Sequence, residues 1–487
     1  MRAAPVLVIV VLLFGPAGTV SPAAAQAQVA PPPSQPPAPA TAPARAAAPF
    51  TSNPFLGGVP TGTATRDSLL LSIFDAINRA LEHNLGVLEA QEGVGRARGV
   101  RWRALSGLLP TLTGRVTEVR QEVNLAAFGF PLPLGFPSFV GPFNVFDARV
   151  YLTQPVLDLH ALNDARAETH NVAAAQFSYK SARDLVVLVA ANAYLQALAS
   201  SSRADSARAQ VQTAQAIYNQ AVDLKGGGIV AGIEVLRAEV QLDTERQRAT
   251  ATQNDFEKAK LQLAHIIGLP LGQSFTLVDE LPSVPAPEMT LEQALNRAYE
   301  TRPDYQAAAE RVRAAEAARA AIVGEGLPAL RVNADYGDIG LSIPNSHSTF
   351  SVVGALNVPI FQGGRTRGRL LEADADLRDR RAQLEDLKAT IYYGVRTAFL
   401  DLQASGEQLQ VATRARELAA AELTQARDRF VAGVASNIEV VQAQQAVALA
   451  NEQYISALYL YNVGKAVLAH GLGVAEDALR QYLGGSR

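Results

Sequence analysis

Asp428-Arg429-Phe430-Val431-Ala432-Gly433-Val434-Ala435-Ser436-Asn437-Ile438-Glu439-Val440 leads into a long Ala-, Gln- and Val-rich run that closes on Leu468-Ala469-His470-Gly471-Leu472-Gly473. A weaker copy lies earlier, Gly228-Ile229-Val230-Ala231-Gly232-Ile233-Glu234-Val235, closing on Leu263-Ala264-His265-Ile266-Ile267-Gly268. The register is constant: Gly228 to Gly433, Glu234 to Glu439 and His265 to His470 are each 205 positions apart. In each copy a helix arrives, turns over at a glycine, and a second helix departs. An internal repeat of this kind decides the architecture before any local assignment does.

The departing segment of the second copy carries a strict heptad: Val440, Ala443, Val447, Ala450, Tyr454, Ala457 and Tyr461. That spacing is a coiled-coil seam, and its alanines let helices approach closely. The arriving segments are longer. Residues 156–225 run 70 positions without glycine or proline, which as one helix is roughly 105 Å at 1.5 Å per residue. The counterpart covers about 364–432. Ordinary globular helices average about three turns, so these are not ribs of a compact domain.

A second correspondence, at a spacing of 218, carries Ala76-Ile77-Asn78-Arg79-Ala80-Leu81-Glu82 onto Ala294-Leu295-Asn296-Arg297-Ala298-Tyr299-Glu300, and Leu109-Pro110 onto Leu327-Pro328. Residues 67–108 read as one helix with no proline before Pro110; both helices end at Leu-Pro because the residue before proline is pushed out of the α region. Beyond each Leu-Pro the apolar period falls to two. Phe146, Ala148, Val150 and Leu152 form one stripe, Leu330, Val332, Ala334 and Tyr336 a second, and Phe350, Val352, Gly354, Leu356 and Val358 a third. With the less regular 112–123, this predicts four strands in two hairpins, closing on Pro155 and Pro359. Such strands suit a soluble sandwich or the wall of a membrane barrel, and by themselves do not separate the two.

The 487 residues are 48% hydrophobic with a net charge of −3, which makes no electrostatic case for nucleic acid. There is no cysteine, so structural disulfides, thiolate metal sites and an N-terminal lipid on cysteine are excluded. Arg2, the apolar run 6–14 and the small residues Ala23, Ala24, Ala25 and Ala27 read as a signal peptide over 1–27. No other stretch reads as a transmembrane helix, so any membrane-inserted part is expected to be strands. Residues 28–64, rich in Pro and Ala, are expected to form an extended leader. The repeats then occupy 65–268 and 290–474, with a Pro-rich connector over 269–289 and a tail over 475–487.

Over 65–474, in the order and lengths of its elements and in its two glycine turns, the chain resembles the TolC-like outer-membrane efflux proteins. The resemblance implies a mainly α fold with a small β part, in which tandem helix–β-hairpin–long helix–turn–helix repeats build a trimeric α-barrel tunnel joined to a 12-stranded outer-membrane β-barrel. Strand counting leads partway there: four strands cannot close a barrel and an open edge cannot sit in lipid, so copies must associate, as a dimer or a trimer. The resemblance also implies an exit duct of a tripartite efflux pump in a Gram-negative outer membrane, passing drugs or other small molecules, with most of the chain in the periplasm. Its partners would be a homotrimer of itself, outer-membrane lipid, a periplasmic adaptor and an inner-membrane pump of RND or ABC type.

Residue by residue, the resemblance places adaptor contact at Gly228, Ile229 and Val230 and at Gly433, Val434 and Ala435. Those glycines would also end the helices whatever docks there. It places a periplasmic constriction at Glu234, Glu439 and Gln442, although a glutamate in a first helical turn is also stabilised by the helix dipole, by about 0.3–1 kcal/mol. Relatives carry an acid where Gln442 stands and a base where Ala435 stands, so the constriction is expected to be less charged here. Two other readings compete: the outer-membrane channel of a type I protein secretion system, and a structural coiled-coil envelope protein. No catalytic constellation, metal-ligand spacing or cofactor motif is present: Gly226-Gly227-Gly228 lacks the Lys-Ser or Lys-Thr of a phosphate loop, and the six histidines are scattered. Trp102, near the membrane end of its helix, suits an interfacial ring or simple packing. The loop 125–143, with five phenylalanines, is expected at the outer face.

Overall fold

The structure, a computed structural model, describes residues 53–129, 137–432 and 434–483. The expected signal peptide, residues 28–52 of the leader, residues 130–136 of the Phe-rich loop and Gly433 lie outside the described residues.

Two helices set the frame: α3 (Leu159–Gly226) with 68 residues and α7 (Arg365–Val431) with 67. Each turns over into a 35-residue helix, α4 (Gly232–Ile266) or α8 (Asn437–Gly471). Asp158 starts α3 by accepting the Ala161 N–H at 3.0 Å, which satisfies one of the orphan donors of the first turn. Along α7 the small residues Ala398, Ser405, Ala412, Ala419 and Ala426 are buried at intervals of seven. On α8 the heptad positions Val440, Ala443, Ala450 and Ala457 are buried as expected. Small side chains on both partners permit the close coiled-coil approach. By length and composition α3 is long enough and apolar enough to cross a membrane, which the sequence reading did not anticipate. With 56% of that window buried inside the protein, it is a core helix.

The single helix expected over 67–108 is replaced by three elements. Leu69–Leu71 is a strand, β1, paired in parallel with β4 (Phe275–Leu277) of the connector. Helix α1 (Ile73–His83) starts at a Ser72–Asp75 capping box, and α2 (Leu85–Ser106) follows after a break at Asn84. Asn84 is fully buried: its Oδ1 accepts the Gly86 N–H at 3.0 Å, and its Nδ2 donates to Phe55 O at 2.9 Å and Ile266 O at 3.3 Å. The second copy breaks at the matching place, between α5 (Leu291–Thr301) and α6 (Pro303–Gly324), where Arg302 precedes Pro303. One break is thus made by a buried amide and the other by proline sterics.

The strands β2 (Thr111–Asn124), β3 (Phe139–Leu157), β5 (Ala329–Gly340) and β6 (Ser346–Asn357) form one antiparallel sheet in the order β2-β3-β5-β6. The first hairpin does not close on Pro155: β3 continues to Leu157, with the register shifting between these two residues. A bulge is where a sheet tolerates a residue lacking its N–H. Between the register shifts at Gln121/Val123 and Pro155/Leu157, even-numbered residues meet even-numbered ones. One face therefore carries Leu112, Val116, Val150, Leu152, Tyr336, Phe350 and Leu356. The other carries Arg149, whose Nε lies 2.7 Å from Asp147 and Nη1 3.0 Å from Asp335. Among the described residues, the outer edges of β2 and β6 have no strand partner.

The largest core is a belt around the middle of α3, where α1, the end of α4 and the β1–β4 pair meet. Tyr194 is fully buried there, its hydroxyl 2.8 Å from both Leu71 O and Asp279 Oδ2. Within the stretch read as a tail, Ala475–Leu483 is a helix, α9. Its Leu483 enters the core of the first repeat and its Tyr482 that of the second, so α9 joins the two. The Asp184 carboxylate on α3 accepts the Glu476 N–H at the start of α9 at 3.2 Å. Burial, with Glu476, Asp477 and Asp304 nearby, pushes this carboxyl up to about 6. The connector is held to α8: Asn462 donates to Pro282 O and Lys465 to Val284 O, both at 2.8 Å. Burial lowers the Lys465 ammonium to about 8.

Candidate functional site: the helical tips

At the end of α3 the chain reverses in a Schellman turn. The Ile229 N–H donates to Leu224 O at 2.9 Å and the Gly228 N–H to Lys225 O at 3.0 Å. Gly228 has φ +74, and nothing lies within 4 Å of where a Cβ would stand. Backbone conformation, and no crowding, selects glycine there. At the end of α7 the Val434 N–H donates to Arg429 O at 3.1 Å, the same bond 205 positions on. Ile229 and Val434 are each 68% exposed, so each turn presents one large apolar side chain to solvent. Val230 and Ala435, behind them, are half-buried.

The two turns are positioned together. Ile217, Ala221, Ala238, Ala426, Phe430, Val440 and Ala443, from all four helix ends, form one apolar cluster beneath them. Beside it, Ile233, Leu236 and Val240 of α4 and Ile438, Val441 and Gln442 of α8 line a groove of about 320 Å³.

The two glutamates stand in first turns, Glu234 on α4 and Glu439 on α8. Their cations differ. Arg237 Nη1 donates to Glu234 Oε1 at 2.7 Å within one helix, whereas Arg429 Nη1 of α7 lies 3.5 Å from Glu439 Oε2 of α8, across the turn. At the repeat spacing of 205, Arg237 corresponds to Gln442 and Arg429 to Leu224. The base that the second copy lacks at Gln442 is thus replaced by one on the preceding helix, a partner that sequence spacing along α8 could not reveal.

Above the apolar cluster lies a buried polar layer that the sequence reading passed over. Gln444 is fully buried, its Nε2 3.3 Å from Gln210 O; Gln241 Nε2 donates to Glu245 Oε1 at 2.9 Å, and Gln445 Nε2 to Gln241 Oε1 at 3.4 Å. Two of these three contacts are long. Their only sequence signal was glutamine inside a heptad-patterned helix, which a solvated face explains equally well.

Comparison with known proteins places these repeats. The model of the family described as outer membrane efflux protein matches residues 76–269 and 294–474. Outer membrane protein TolC of Salmonella enteritidis is 21% identical over 362 residues, covering 70% of this chain and 72% of that protein. TolC of Escherichia coli K12 is 21% identical over 354 residues, covering 69% and 70%. Among solved structures, the Campylobacter jejuni CmeC outer membrane channel superposes with a TM-score of 0.71 at 17% identity, over 87% of this chain and 92% of that one. The open state of the Neisseria gonorrhoeae MtrE outer membrane channel gives 0.71 at 17%, over 86% and 95%.

Proposed function

Because this chain belongs to the outer membrane efflux protein family, matched on both repeats, we propose that it is the exit duct of a tripartite efflux pump and conducts small molecules passively. It is an outer-membrane protein of a Gram-negative cell, and it is not an enzyme. Three copies supply twelve strands and close the sheet into a barrel, because an open edge is not tolerated in lipid. The tips dock a periplasmic adaptor, which links the duct to an inner-membrane pump of RND or ABC type. The contacts are Gly228, Ile229 and Val230 with Gly433, Val434 and Ala435, and Glu234, Glu439 and Gln442 narrow the bore just inside.

The observation that carries this reading is one pairing: helices of 68 and 67 residues start from a single sheet and end together in two turns that expose Ile229 and Val434. The test is Gly228→Trp beside Ile229→Asp. Tryptophan forces a non-glycine residue to positive φ at a local cost of about 1–2 kcal/mol, small against the helix seams; aspartate replaces a side chain that supports no packing. We expect both variants to reach the outer membrane as trimers, to lose cross-linking to the adaptor, and to leave cells nearly as drug-sensitive as a deletion. Full export by Ile229→Asp at normal trimer level would refute docking at the tips.

A further inference from the structure

Among the described residues the sheet ends on two open edges, β2 and β6, and the chain carries its own pattern for what covers them. The two hairpins are copies: Leu112 pairs with Leu152 in the first and Leu330 with Leu356 in the second. Leu112 maps onto Leu330 at the spacing of 218 that also carries Leu109-Pro110 onto Leu327-Pro328. Leu152 therefore maps onto Leu356, a spacing of 204 that also carries Pro155 onto Pro359. β5 is thus the copy of β2, and β6 the copy of β3. The junction β3–β5 joins the end of one repeat to the start of the next. In a ring of chains, the junction between β6 and the next copy's β2 is the same kind of contact.

We infer that β6 of one copy pairs antiparallel with β2 of the next in a fixed register, with Leu356 opposite Val116 and Val353 opposite Val119. This rests on the reading that copies close a barrel. The positions follow from the internal junction. Leu152↔Ala334 maps to Leu356↔Val116, Arg149↔Gly337 to Val353↔Val119, and Thr153↔Asn333 to Asn357↔Arg115. Between the register shifts, pairings within the chain join even to even residues, and because both repeat spacings, 204 and 218, are even, the seam does so too, which keeps Val116 and Leu356 on the apolar face. A slip of one residue would turn the apolar face of the next copy into the lumen. A slip of two would keep the faces, so experiment must separate that register from the one inferred.

The chain has no cysteine of its own, so introduced pairs report alone. In isolated outer membranes we would oxidise Val116→Cys with Leu356→Cys, Val119→Cys with Val353→Cys, and the two-residue slip, Val119→Cys with Ala355→Cys. The first two pairs are three positions apart, so one of them is the closer, non-hydrogen-bonded kind, at a Cβ separation a disulfide accepts. Expected is a reducible ladder ending at a covalent trimer for at least one in-register pair, taking up most of the chain, with none for the slipped pair. A ladder from the slipped pair overturns the register, as does none from either in-register pair while an amine cross-linker captures trimer. Absence of trimer with the amine cross-linker, at wild-type protein level, overturns the ring itself. The single-cysteine variants, which cannot ladder, set that level.

Discussion

Helices α3, α4 and α8 meet at the belt and again at the tips, under different conditions. At the belt Tyr194, Asn84, Asn462 and Lys465 are fully buried, and the hydroxyl, amide N–H or ammonium of each donates to a backbone carbonyl from elsewhere in the chain. At the tips Ile229 and Val434 face water, and the charges pair near the surface. An extensive core holds the belt, whereas the tips rest on the smaller cluster around Ile217, Phe430 and Val440 and on two turns. Substitutions at the belt should therefore cost stability, and those at the tips should cost contact while leaving the fold in place.

The hardest test of that contrast is Tyr194→Ala. Removing a fully buried aromatic costs about 3–5 kcal/mol and leaves a cavity; here it also strips Leu71 O of a hydroxyl at 2.8 Å. We expect a marked fall in the level of the outer-membrane protein and in its melting temperature. Ile229→Ala, at the tip, should stay within about 0.5 kcal/mol, as exposed substitutions do. Similar melting shifts for the two would dissolve the distinction.

A smaller effect, of opposite sign, is expected at Asp184. Its folded-state carboxyl, at about 6, lies above its ordinary value of 3.8. The folded state therefore binds this proton more tightly than the unfolded one, so stability rises as pH falls through 6 and the gain is complete below 3.8. At pH 7 the charged form costs at most about 3 kcal/mol. Asp184→Asn keeps an acceptor for the Glu476 N–H and removes the charge. Its melting temperature should exceed that of the natural chain at pH 7 and approach it near pH 4. A constant difference across that range would mean that Asp184 does not titrate there.

The belt was the less legible region of the sequence, for a physical reason. Long-range repeats and heptads show in one dimension, so the lengths of α3 and α7, the two turns and the four strands could be read from spacing alone. Asn84 looked like one polar residue inside a helix. It breaks the helix because Phe55 and Ile266, far off in sequence, bring carbonyls to its amide. Leu69-Leu70-Leu71 fits a helix equally well until β4 supplies a parallel partner. The helix after Gly473 is short, and only contact with both repeats gives Leu483 and Tyr482 something to bury against. At the tips the repeat marks the glycine and glutamate positions twice, while Arg429, present once, is not marked.

The finest comparison lies between the two tips themselves. Arg237–Glu234 closes within α4, an i,i+3 pair that stabilises its own helix by about 0.2–0.5 kcal/mol and says nothing about neighbours. Arg429–Glu439 spans from α7 to α8, so the same chemistry there constrains how two helices cross. Both partners are about half exposed, which limits that coupling to about 0–1 kcal/mol and makes it sensitive to salt. Neither Glu234→Ala nor Glu439→Ala should alter assembly. In planar bilayers Glu439→Ala and Arg429→Ala should raise conductance by a similar amount, the double variant no further, with the difference shrinking as salt rises. Arg237→Ala should leave conductance close to that of the natural chain, because it frees no helix from another. Equal gains from Arg237→Ala and Arg429→Ala would mean that local charge, and not the link between helices, sets the width of the bore. An additive double variant would mean that Arg429 and Glu439 act separately, whatever their distance.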